Sequence, residues 1–74
     1  MKDKYKICIS SPPDRKKLVA EIFFGGVQWA EINQENNVLE IEFYPHPDGQ
    51  PWQIDFSSVI TALCEAKLML VGKQ

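Results

Sequence analysis

His46 is the single histidine of this sequence, and two carboxylates, Asp48 and Asp55, follow it closely. A histidine beside carboxylates is a donor set that can hold a metal ion or move a proton in general acid–base catalysis. Zinc, however, usually takes several nitrogen or sulfur ligands, and one histidine cannot supply them. Three prolines in residues 45–51 instead make His46 part of a rigid loop. We therefore expect no metal site, no cofactor and no acid–base pair here.

Cys8 and Cys64 are the two cysteines, and either thiol could serve as a nucleophile if a base activated it. That base would have to be His46, and no third residue is apparent that would orient it. The cysteines fall in different predicted elements and lack the CxxC spacing of redox and metal motifs. We expect two reduced, buried thiols, with a disulfide as the alternative, and we do not expect an enzyme.

Phe23, Trp29 and Tyr44 lie on predicted strands, where aromatic side chains can stack the bases of single-stranded nucleic acid. Such platforms combine the aromatics with a positively charged groove. Residues 18–56 instead carry seven acidic residues and no lysine or arginine. This charge repels phosphate and attracts basic proteins, so we expect no nucleic acid as a partner.

Short apolar segments, separated by turn signals at Gly25-Gly26 and Asn36-Asn37, organise the middle of the chain. Polar residues recur at every second position, which is typical of strands with one solvated face. Paired glycines and asparagines tolerate the left-handed backbone of tight turns. The predicted strands are residues 4–10, 18–24, 27–35 and 38–44, with residues 52–54 as either a short fifth strand or the lead into a helix.

The last predicted element is a helix over residues 57–70, with Asp55 or Ser57 as its N-cap. Placing its residues 100° apart gathers apolar side chains on one stripe, which we expect to pack on the sheet. The members of this stripe are Phe56, Val59, Ile60, Leu63, Cys64, Leu70 and Val71.

The predicted fold is therefore α+β: a four- to five-stranded antiparallel β-meander with one C-terminal α-helix packed on one face, in a single domain over residues 1–74. One helix covers one face of a sheet, so the other face is solvated or meets a partner. The predicted core beneath the helix consists of Ile7, Ile9, Ala20, Ile22, Phe24, Ala30, Ile32, Leu39, Ile41 and Phe43.

The opposite face of the sheet is predicted to combine glutamates with large aromatic residues. Close carboxylates on adjacent strands repel each other, and aromatics among them are of the type enriched at interface hot spots. A plain solvated face is the alternative, and the loop at residues 45–51 is a second place where a partner could bind. The residues predicted to bind a partner are Glu21, Phe23, Trp29, Glu31, Glu40, Glu42 and Tyr44.

The sequence resembles small immunity proteins of bacterial contact-dependent growth inhibition and other polymorphic toxin systems. The resemblance lies in the closing helix, rich in alanine and leucine, and in four segments at residues 6–15, 18–22, 28–35 and 40–45. The resemblance implies a cytoplasmic inhibitor that binds a cognate toxin domain, expected to be a nuclease, and blocks its active site. An acidic surface with aromatic anchors is complementary to the basic cleft of a nuclease.

The expected location is the cytoplasm, because no apolar run approaches the ~20 residues of a membrane span and the N-terminus lacks the apolar region of a signal peptide. We therefore expect no membrane partner. A homo-oligomeric interaction or structural module, which pairs exposed strands or aromatics of two copies, is the alternative function.

Overall fold

A computed structural model describes residues 4–72, which form four β-strands and one α-helix. The strands make one antiparallel sheet in the order β1-β2-β3-β4, with the helix at the C-terminal end of the chain, and this confirms the predicted α+β fold. Residues 52–54 form no strand and lead into the helix. The elements are β1 (Tyr5–Ser10), β2 (Val19–Phe24), β3 (Val27–Asn33), β4 (Glu40–Phe43) and α1 (Phe56–Gly72).

The turn between β2 and β3 is the two-residue hairpin that the glycine pair predicts. Gly25 and Gly26 have φ angles of 60° and 82°, which side chains with a Cβ rarely adopt. Asn37, in the connection between β3 and β4, has a φ of 64°, as asparagine tolerates. These turns bring consecutive strands together without a crossover.

Asp55 caps the N-terminus of α1. The backbone N–H of Ser58 donates to Asp55 Oδ2 at 3.0 Å, which satisfies one of the N–H groups that a helix start leaves without a partner. The helix packs on β1 and β2, and the Tyr5 hydroxyl donates to Glu65 Oε1 at 3.3 Å, so that Glu65 lies on the β1 side of the helix.

The predicted apolar stripe of the helix is confirmed for Val59, Leu63 and Leu70, which pack in or against the core, and is wrong for its other members. The buried residues of α1 are Ser58, Ala62, Ala66 and Leu70, which recur every four positions. Small side chains there let the helix approach the sheet closely, because interaxial distance follows the size of the contact residues. Several larger members of the predicted stripe remain exposed: Phe56, Ile60, Cys64 and Val71.

The β4 part of the predicted core was also wrong. Ile41 and Phe43 point to the helix side of the sheet but are 38 and 59 % exposed, and Leu39, just before the strand, is 41 % exposed. They are exposed because α1 lies over β1 and β2 and does not extend across the sheet to β4. The buried apolar residues of the described chain are Val19, Ala20, Ile22, Phe24, Trp29, Ala30, Ile32, Ala62, Ala66 and Leu70.

Across residues 4–72, no helix combines the length and the apolar character that a membrane crossing requires.

Candidate protein-binding surface

Three of the predicted partner-binding glutamates lie in one row across the sheet. Glu21 of β2 is directly opposite Glu31 of β3, which is directly opposite Glu42 of β4. Glu40, two positions before Glu42, shares their face because side chains alternate along a strand. Like charges in directly opposed positions are destabilising, so this row needs a compensating charge.

Arg15 supplies that charge from the loop between β1 and β2. Its Nη2 lies 2.8 Å from Glu31 Oε2 and 3.0 Å from Glu42 Oε1, and its Nε also donates to Glu31 at 3.0 Å. Desolvation lowers the pKa of the Arg15 guanidinium. The charge and hydrogen bonds of Glu31, followed by the charge of Glu42, raise it by more, so the pKa of Arg15 lies above its usual value. Part of the expected negative charge is therefore neutralised within the protein.

Glu31 has a structural role, because it is buried in the sheet beneath Arg15. It is only 5 % exposed, and the Arg15 guanidinium covers its carboxylate. A buried carboxylate in an ion pair has little surface to offer a partner. Segment charge alone could not reveal this pair, because Arg15 lies sixteen positions before Glu31 and outside the acidic segment. Glu42, with 52 % of its side chain exposed, remains accessible.

The loop that carries Arg15 is fixed to the turn after β3 by a second carboxylate. The backbone N–H groups of Lys16 and Lys17 both donate to Glu35, each at 3.1 Å. The hydrogen bond from Lys16 is the main reason that the pKa of Glu35 lies below its usual value, with burial opposing it. These two hydrogen bonds hold the loop in the place from which Arg15 reaches over the sheet.

Tyr44 is attached to the same cluster. Its hydroxyl donates to Glu42 Oε1 at 3.0 Å and lies 3.5 Å from Glu31 Oε1. Burial, followed by the hydrogen bond to Glu42 and the two negative charges, raises the pKa of Tyr44 to about 12. Tyr44 thus remains a neutral hydrogen-bond donor at physiological pH, beside the accessible carboxylate of Glu42.

Trp29 does not lie on the acidic face, which corrects its predicted position. The β2–β3 pairing shifts after Ile22, so that Trp29 is an extra residue in β3, a β-bulge. It is 8 % exposed and makes edge-to-face contacts with Phe24 and Phe43, at centroid distances of 5.3 and 5.4 Å. Strict alternation placed it on the wrong side because alternation does not reveal a bulge.

Phe23 does lie on the outer face, at the end of the sheet away from the Arg15 cluster. It is directly opposite Lys6 of β1 and is partly exposed. The surface there is a shallow hollow of about 480 Å³, lined by Phe23 and Lys6 and by Lys4, Tyr5, Cys8, Gly25 and Gly26. Phe23 thus lies two positions from Glu21 on the outer face, beside the lysines of β1 and away from the cluster of Arg15 with Glu31 and Glu42.

The loop after β4, the second predicted place for a partner, is ordered by its own contacts. His46 Nδ1 is 2.8 Å from Asp48 Oδ1, and the imidazole packs at an angle on Trp52 with centroids 4.5 Å apart. Trp52 Nε1 donates to the Tyr44 carbonyl at 2.8 Å, which closes the loop.

Within residues 4–72, no group of three His, Cys, Asp or Glu side chains is arranged to hold a metal ion. Both cysteines are free thiols, but neither is buried as predicted, because Cys8 is partly exposed and Cys64 is exposed.

The surface that sequence patterns did not predict is an apolar groove beside β4. On α1, Glu65 marks the flank over β1, and at 100° per residue Phe56 and Ile60 fall on the opposite flank, which faces β3 and β4. These two side chains are 77 and 44 % exposed. Together with the exposed apolar residues in and just before β4, they make up the surface that we call the β4–α1 groove: Leu39, Ile41, Phe43, Phe56 and Ile60.

Comparison with models of known protein families, with curated proteins and with solved structures finds no match to this chain.

Proposed function

We propose that this protein is a cytoplasmic immunity protein that binds a cognate toxin domain, a nuclease with a basic cleft, and thereby blocks its active site. The proposal is of a binding protein and not of an enzyme. The observation that carries it is the β4–α1 groove, an uncovered apolar surface along the edge of the sheet. The sequence resemblance to immunity proteins supplies the class of partner.

The size of the β4–α1 groove supports a protein partner. An aromatic side chain buries ~150–250 Å² when covered, so the exposed fractions of the five groove residues leave on the order of 500 Å² of apolar surface. The largest apolar patch of a typical monomer is about 300–600 Å² and is often functional. A specific interface covers about 800 Å² on each partner, so this groove can form the centre of one.

Charge at the rim of the groove supports a basic partner. Glu40 and Glu42 lie in β4 on the face opposite the groove residues and remain exposed, although Arg15 partly neutralises Glu42 as well as Glu31. An apolar centre with a charged rim is the usual anatomy of an interface, and complementary charge increases the rate of encounter. A nuclease presents basic groups to its phosphate substrate and is complementary to such a rim.

The second candidate is the homo-oligomeric module, which the exposed edge of β4 favours. Unpaired edges promote pairing with another chain, including a second copy. In this account the groove would be covered by an identical groove, and the protein would form a dimer with no other partner. Solution mass measured over a range of concentrations distinguishes the two functions.

Growth of a test bacterium examines the proposal directly. The C-terminal domain encoded immediately upstream of this gene is expressed with and without the protein. We expect the domain alone to stop growth and co-expression to restore it. Continued growth arrest with the protein well expressed, or a harmless domain, would contradict the proposed function.

A further inference from the structure

We propose that β4 receives an extended segment of the partner protein as a fifth strand of the sheet, and that this segment alternates apolar residues with lysine or arginine. The inference rests on the proposed function only in taking the partner to be another protein. It specifies the mode of contact, which is backbone pairing along β4, and the chemistry of the segment that fits there.

The backbone of β4 has hydrogen-bonding groups aimed at the open edge. The Tyr44 N–H donates to the Trp29 carbonyl of β3 at 2.9 Å, and the pairing of β4 with β3 is regular. In an antiparallel pair, every second residue bonds to the same neighbouring strand, so Glu42 also bonds to β3. Ile41 and Phe43 therefore direct their N–H and C=O groups outward, at the spacing that an added strand uses.

The side chains of Ile41 and Phe43 determine what the added strand must carry on the helix side. Both lie on the helix side of β4, where they are exposed. Directly opposed residues of an antiparallel pair share a face, so the partner residues opposite Ile41 and Phe43 enter the same groove. Apolar side chains at these alternate positions would cover surface that α1 leaves exposed.

Glu40 and Glu42 determine what the added strand must carry on the other side. Both are exposed, and they flank Ile41 in sequence, so they face the alternate positions of the added strand. Lysine or arginine at those positions would make cross-strand ion pairs, which stabilise a sheet. Charged side chains protect edge strands against indiscriminate pairing, and glutamates disfavour an acidic strand while they favour a basic one.

A second copy of this chain is a poorer occupant for the same reason. If β4 pairs with β4 of another copy about a two-fold axis through Ile41, Glu40 lies directly opposite Glu42 of the other copy. If the axis passes through Glu42, the two Glu42 side chains oppose each other. Both of these registers, which overlap most of β4, thus place like charges together, which is destabilising. Charge therefore selects a basic partner strand over self-pairing.

Binding of short blocked peptides tests this inference on the full-length protein. The probe alternates lysine with valine; one control alternates glutamate with valine, and another groups the same lysines and valines into two blocks. Affinity is measured by NMR titration. We expect the alternating lysine peptide to bind, and both controls to bind at least roughly tenfold more weakly, since they place like charges or mixed side chains opposite β4. Equal affinity for the three peptides, or no binding of the lysine peptide, would overturn the inference.

Amide hydrogen exchange identifies the contact in the same samples. We expect the Ile41 and Phe43 amides to exchange rapidly in the free protein and to become protected by the lysine peptide, while the Glu42 amide is protected in both states. Ile41→Pro removes one outward N–H without removing a bond to β3, and should abolish peptide binding, whereas Ile41→Val should retain it. Protection of Ile41 and Phe43 in the free protein, with a concentration-dependent dimer mass, would overturn the inference in favour of self-pairing.

The growth assay separates failure of this inference from failure of the proposed function. Rescue by a folded Ile41→Pro variant would overturn strand addition and leave the immunity function intact. Absence of rescue by the wild-type protein, with peptide binding as predicted, would overturn the immunity function and leave strand addition to β4 intact.

Discussion

Arg15 determines how much of the negative charge of the sheet reaches the surface. It neutralises Glu31 and shares Glu42, and the loop that carries it is held by the Glu35 carboxylate. The same row of glutamates that indicates a basic partner is thus also a stabilising element of the fold. Substitutions in this cluster will affect folding and binding together, and they have to be interpreted with a stability measurement beside the binding measurement.

Arg15→Ala should lower the melting temperature by several degrees, because it leaves the buried carboxylate of Glu31 without its counter-ion beside two further glutamates. Lys16→Ala is the matched control. It removes a neighbouring positive charge but retains the backbone N–H that bonds Glu35, so it should have almost no effect. Thermal denaturation followed by circular dichroism compares the two. Equal melting temperatures in both variants would show that Arg15 does not stabilise the sheet.

Tyr44 gives the cluster a measurable dependence on alkaline pH. Its pKa in the folded protein, about 12, lies above the ordinary value of 10.0, so its neutral form favours folding. That contribution is full below pH 10 and is lost as the pH rises toward 12. In a Tyr5→Phe variant, where Tyr44 is the remaining tyrosine, tyrosinate absorbance should rise near pH 12. Adding Glu42→Gln should move this midpoint toward 10; an unchanged midpoint would contradict the assigned hydrogen bond.

At the scale of elements, the β-bulge in β3 separates two aromatic residues that sequence alternation grouped together. Trp29 packs in the core between Phe24 and Phe43, whereas Phe23 lies on the outer face near Lys6. Trp29 thus contributes mainly to stability and anchors Phe43, which lines the β4–α1 groove. Phe23 is left as the aromatic residue of a different surface.

Trp29→Ala should destabilise the protein by about 3–5 kcal/mol, the usual effect of truncating a buried aromatic side chain. Phe23→Ala should cost well under half of that, because Phe23 is partly exposed. Urea denaturation of the two variants provides the comparison. Similar losses in both would contradict the placement of Trp29 in the core and Phe23 outside it.

The elements themselves were largely predictable from the sequence, and their lateral arrangement was not. Alternation, the glycine and asparagine turns and the Asp55 cap are local signals, and they located four strands and the helix. The position of α1 across the sheet depends on the small residues Ser58, Ala62 and Ala66, which a hydrophobicity pattern discounts. The stripe of large apolar residues therefore predicted a helix face that is rotated from the real one, so that Val59, Leu63 and Leu70 pack as expected while Phe56 and Ile60 are exposed.

At the scale of the whole molecule, the prediction of an acidic binding face was incomplete for a related reason. The glutamates do share one face, but Arg15 reaches them from a loop distant in sequence, and Trp29 leaves the face through a bulge. Neither effect has a local signature. The result is a sheet with two different surfaces near β4: a partly neutralised acidic face and, on the helix side, an apolar groove. A partner that pairs with the edge of β4 would contact both.

Calorimetric titration of the protein with the toxin domain, inactivated in its active site, tests the central claim most directly. Phe43→Ala, in the groove, is compared with Leu68→Ala, whose side chain is 72 % exposed on the outer side of α1. We expect tight binding of wild type and Leu68→Ala, and at least roughly tenfold weaker binding of Phe43→Ala, as for a residue at the centre of an interface. Wild-type affinity of Phe43→Ala, or no binding by any of the three proteins, would contradict it.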